Sequence, residues 1–73
     1  MEILLWQVRQ DKNMSIRALA EKSGVSKSEI SDIENGVKIP RIDTLCMLAV
    51  ALDVTVEDLI SYVNFTIIYH FLR

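Results

Sequence analysis

Along most of the chain, apolar residues recur at intervals of three and four, the spacing of one helix face, not at the alternate positions of a strand. Glu2 to Lys12 reads as a first helix, with Ile3, Leu5, Trp6 and Val8 as its inner face and Asn13 as its end. A second pattern then occurs three times. An apolar residue precedes a Ser or Thr, and another apolar residue follows four positions after that polar one: Met14-Ser15 with Leu19, Val25-Ser26 with Ile30, Val54-Thr55 with Leu59. This is the hydrophobic staple around a helix N-cap, so helices are expected to start at about Ile16, Lys27 and Val56. Glu29 after Ser26 completes a capping box, and Asp58 after Thr55 is a shorter imitation of one. Pro40 disfavours helix at the residue before it. Beyond it Ile42, Leu45, Leu48, Ala49 and Leu52 form a helical stripe. The expectation is an all-α domain of five helices.

Two glycines punctuate this pattern. Gly24 suits a left-handed cap on the helix Ile16 to Ser23, and Gly36 ends the next one. Only Gly24 to Ser26 separates those two helices, which makes the pair a tight helix-turn-helix.

Composition narrows the function. With 73 residues the chain forms one domain, and 51% hydrophobic residues favour folding over disorder. Its net charge of -2 and pI near 5.2 argue mildly against nucleic acid, although local placement of cations can outweigh the sum. Cys46 is the sole cysteine, so neither an internal disulfide nor a zinc cluster is available. Neither a membrane span nor a signal peptide is read, and the cytoplasm is the expected location. Cys46 and His70 are read as packing residues, because the groups that would activate them are missing nearby. "SDIENG" lacks the acid spacing of a calcium loop. No metal, cofactor, small-molecule substrate or catalytic residue is expected.

The helix from Lys27 to Asn35 carries the chemistry. If Ile30 and Ile33 face inward, Lys27, Ser28, Ser31, Asp32 and Asn35 lie on the other side. A solvated face is the commonest reading of such residues. Short polar side chains also suit a helix lying in the major groove, about 12 Å wide. There Lys27 can donate to guanine, Asp32 can accept from a cytosine amine, and Ser28 and Ser31 can meet base edges or phosphates. Asn35, Arg17, Lys38 and Arg41 lie on or beside this surface as candidate phosphate contacts.

The stretches "LAEKSGVS", "ISDIENG" and "P....L..LA.AL.V...DL", within Met14 to Ile60, together resemble the lambda repressor and Cro helix-turn-helix family (XRE-type). The resemblance implies a five-helix fold whose second helix crosses the DNA backbone and whose third enters the major groove. It maps Lys27, Ser28 and Asp32 onto groove-facing positions and Ser15 to Arg17 onto the phosphate-facing end of helix two. It also maps Arg9 and Glu34 onto a structural ion pair. The family often has glutamine where this chain has Ile16, which implies a different docking detail.

Residues 1–64 are thus expected to form the DNA-binding domain and residues 65–73 an apolar tail. Phe65, Ile67, Ile68, Tyr69, Phe71 and Leu72 favour strand by type, while Asn64, Ile67, Ile68, Phe71 and Leu72 also fit a helical stripe. The tail is a candidate dimerisation segment, with folding back onto its own domain as the alternative. The sequence reading is a homodimeric repressor on a palindromic double-stranded operator. An interaction module of the antirepressor or antitoxin kind is the competing reading.

Overall fold

The computed structural model describes residues 2–61. Its elements run β1 (Glu2–Ile3), α1 (Leu5–Asp11), α2 (Ile16–Ser23), α3 (Lys27–Glu34), α4 (Ile42–Leu52), a 3-10 turn (Val56–Leu59) and β2 (Ile60–Ser61). The domain is mostly helical, with four α-helices among the described residues.

Local signals place α2 and α3. Ser15 and Ser26 are extended and cap them, each hydroxyl oxygen accepting the backbone N–H three residues on, Ala18 at 3.0 Å and Glu29 at 3.1 Å. The three stapled residues Leu19, Ile30 and Leu59 are completely buried. Together with Leu5, Leu48 and Leu52 they make up the largest fully enclosed side chains of the core. Each contributes roughly 1.5–3 kcal/mol by leaving water. Gly24 takes φ +81 and its N–H returns to the Ala20 carbonyl at 3.0 Å, which turns the chain sharply between α2 and α3. Asn13 also adopts a positive φ, just beyond α1, where its sequence position suggested a stop.

Four expectations fail. The N-terminus is not helical from Glu2. Glu2 and Ile3 pair antiparallel with Ser61 and Ile60, and the Leu4 N–H reaches the Leu59 carbonyl at 2.8 Å. A distant segment thus takes the backbone groups that an early helical turn would need. The fifth helix is reduced to a single four-residue 3-10 turn, because Ile60 returns to extended backbone to make that pairing. The capping boxes are reversed: Thr55–Asp58 forms both reciprocal bonds, whereas at Ser26 only the forward bond exists. The shorter aspartate fits the tighter 3-10 turn. Finally, Trp6 and Ile42 are 54% and 68% exposed instead of lining the core. Arg9 takes the inner position on α1, one turn after Leu5.

Cys46 is likewise exposed, on the outer face of α4. No described helix is long and apolar enough to cross a membrane. His70 and the proposed dimerisation residues lie outside the described residues.

Candidate nucleic-acid interface

Helix α3 is anchored from below. Ile30 and Ile33 sink into the core beside Val25. At 100° per residue, Lys27, Ser31, Asn35, Ser28 and Asp32 then follow one another over an arc of about 140° on the opposite side. Lys27, Ser28 and Asn35 are exposed, while Ser31 and Asp32 are half-buried. The face is polar, made of short side chains with one long cation at its N-terminal end.

Its orientation is held from behind. Arg9 on α1 donates through Nε to Glu34 Oε2 at 2.7 Å and through Nη2 to Glu34 Oε1 at 2.9 Å. The remaining arm, Nη1, donates to the Met14 carbonyl at 3.0 Å. Both side chains are more than nine-tenths buried, and two parallel charge-assisted bonds fix position as well as charge. The Arg9 pKa is raised, first by the hydrogen bonds it donates to Glu34 and further by the charge of that carboxylate, with burial opposing. One guanidinium therefore links α1, the α1–α2 turn and the last turn of α3.

The surface itself is pre-wired. Asn35 Nδ2 donates to Ser31 Oγ at 3.3 Å, coupling a candidate base reader to a candidate phosphate contact. Asp32 and Lys38, assigned by sequence to bases and phosphate respectively, meet at 3.9 Å. The Asp32 carbonyl also accepts the N–H groups of Val37 and Lys38, which pins the segment after α3. Arg17 lies 3.4 Å from Glu21, and Arg41 lies 3.6 Å from Asp43. Among the described residues Lys27 alone of these four cations has no carboxylate partner. Sequence reading missed these pairs. Arg17–Glu21 was open to discovery from its i,i+4 spacing; Asp32–Lys38 required knowledge of the turn at Gly36.

Lys38 and Arg41 also flank a cleft of about 250 Å³ between the end of α3 and the start of α4, lined in addition by Glu29, Ile33, Ile39, Pro40 and Thr44. Ser15 uses its oxygen to accept from Ala18, so its hydroxyl hydrogen remains free to donate outward. No group of acids, histidines and cysteine suited to a metal occurs among the described residues.

Comparison with known proteins agrees with this arrangement. The family model described as Helix-turn-helix matches residues 7–59. An uncharacterized HTH-type transcriptional regulator of Mycobacterium tuberculosis is 43% identical over 51 residues, spanning 70% of this chain and 36% of that protein. The HTH-type transcriptional regulator SinR of Bacillus subtilis is 42% identical over 56 residues, 75% of this chain and 50% of SinR. The chain thus spans half or less of the length of these curated relatives. The crystal structure of SinR, master regulator for biofilm formation, in complex with DNA superposes with a TM-score of 0.73 at 40% identity, covering 78% of this chain and 92% of that one. Transcription regulators of this kind are not an enzyme class. The chain belongs to the helix-turn-helix family represented by the HTH-type transcriptional regulators.

Proposed function

We propose that the protein binds double-stranded DNA sequence-specifically, as a small transcriptional repressor with α3 in the major groove. The observation that carries this is the polar arc Lys27, Ser28, Ser31, Asp32 and Asn35, rigidly presented by a short turn on one side and the buried Arg9–Glu34 pair on the other. Lys27, Ser28, Ser31 and Asp32 read bases. Ser15, Arg17, Asn35, Lys38 and Arg41 contact phosphates. The likeness to a DNA-bound SinR domain supports the reading.

The electrostatics predict the character of binding. Three of the four cations on this surface, Arg17, Lys38 and Arg41, already face a carboxylate. These exposed pairs are worth only about 0–1 kcal/mol each, so phosphates can displace the carboxylates. The net positive charge offered is small, and three or four phosphates per protomer imply a salt slope of about -3. One protomer binds weakly, which favours a homodimer on a palindromic operator. The apolar tail Phe65 to Leu72 is the proposed dimer contact, and the cytoplasm, where DNA is reached directly, the proposed location.

Selection from a random duplex pool tests this. A palindromic consensus with half-sites about one helical turn apart is expected. No enrichment would sink the proposal and leave a protein-binding role for the same surface.

A further inference from the structure

Helix α4 has two apolar sides and uses only one of them in the core. Leu45, Leu48, Ala49, Ala51 and Leu52 face inward. On the opposite side Ile42, Cys46 and Val50 form a row at i, i+4 and i+8, with Met47 beside it. Ile42 and Val50 are 68% and 79% exposed, so this is a continuous stripe and not a scatter of single residues.

The chain supplies something to cover it. The last described residue, Ser61, closes β2 directly after the 3-10 turn that packs on α4. Residues 62–73 follow directly from Ser61 in the sequence. Extended, they reach roughly 40 Å, against roughly 16 Å for the length of α4. The charges are weakly complementary. Residues 62–73 contain Arg73 and no acid, whereas α4 with its two caps carries Arg41, Asp43 and Asp53, of which Arg41 already faces Asp43 and Asp53 is left at the C-terminal end.

We propose that Phe65 to Leu72 of one protomer lies along the Ile42–Cys46–Val50 stripe of its partner, and that the exchange is reciprocal. This rests on the dimer reading above and gives the tail its receptor. Under a two-fold axis each tail and each stripe is used once, so the assembly closes. The stripe alone is too small for a stable interface, which needs roughly 800 Å² per partner. Phe65, Tyr69 and Phe71 add side chains that each bury roughly 150–250 Å².

Cys46, the sole cysteine, sits in the middle of the stripe and reports on its cover. The intact chain is treated with 5,5′-dithiobis(2-nitrobenzoate), alone and after unfolding in guanidinium, while sedimentation gives its oligomeric state. Expected is labelling at least tenfold slower in the native dimer than in the unfolded chain, accelerating on dilution as the dimer dissociates. The double substitution Ile68→Asp with Phe71→Asp should restore fast labelling with the helical circular dichroism retained. A native dimer whose Cys46 labels as fast as the unfolded chain overturns the inference and leaves the dimer reading standing. Slow labelling in a monomer, independent of concentration, overturns the exchange in favour of the tail covering its own α4. Fast labelling in a monomer removes both the inference and the dimer.

Discussion

Glu34→Ala is the substitution that tests most of the architecture at once. It leaves the Arg9 guanidinium buried, with one bond to the Met14 carbonyl and two donors facing no acceptor. Removing one partner of a buried pair costs about 3–5 kcal/mol. The surviving Met14 bond and the length of the arginine stem allow partial escape, so the lower end of that range is expected. A chain of 73 residues has a total stability of roughly 4–11 kcal/mol, so a loss near 3 kcal/mol removes a large fraction of it. At about 4–8 °C per kcal/mol for a domain of this size, melting should fall by roughly 12–24 °C. Urea unfolding followed by circular dichroism at 222 nm measures this, with an unchanged m-value showing that only the native state has moved. Arg9→Met combined with Glu34→Leu should recover most of the loss, because neither charge is then stranded. The pair should not weaken in mild alkali. Its guanidinium has a folded pKa raised above the ordinary arginine value, so its contribution is complete below the unfolded pKa and is lost only as pH climbs through the folded one. A Glu34→Ala protein melting within about 2 °C of the parent would refute the reasoning. So would a double variant as unstable as the single one.

Three further outcomes follow from the same geometry. Lys27→Ala and Ser28→Ala should change the preferred bases in a duplex selection, whereas Arg41→Ala should weaken all sequences alike and reduce the salt slope by about 1; equal and uniform losses would erase the distinction between reading and anchoring. Gly24→Ala should cost about 1 kcal/mol through backbone strain alone, because φ is +81 and the added Cβ meets only Met47 Cε at an ordinary 3.7 Å, and a melting point unchanged from the parent would exclude a left-handed residue there. The Asp58 carboxyl is held below its ordinary pKa, chiefly by the Thr55 backbone N–H, then by the Thr55 side chain and, more weakly, by the charge of Lys12. Its contribution is therefore present above the unfolded pKa and lost as pH falls through the depressed folded value, so Asp58→Asn should flatten the acid limb of a stability-against-pH curve, and parallel acid limbs for parent and variant would contradict the assignment.

What the sequence alone determined is local. Ser15, Ser26 and Thr55 cap because a hydroxyl reaches an N–H three residues away, whatever the rest of the chain does. Gly24 and Asn13 stop helices through their own backbone freedom. The inward facing of Val25, Ile30 and Ile33 follows from periodicity, and the polar arc of α3 follows from that by exclusion. Arg9 and Glu34 stand 25 residues apart, so no local spacing links them and only the family resemblance points to their pairing. Tertiary structure decided everything that depends on who arrives at a surface. Trp6 and Ile42 fit their helical stripes by type, yet they lie in the open because the core was filled from other directions. Glu2 and Ile3 became strand because Ile60 and Ser61 came alongside. Asp32 found Lys38 because the turn after α3 folded back over it. A cap is fixed by bond geometry over one turn of chain, whereas burial and pairing between distant segments depend on the competition of the whole chain for a limited interior.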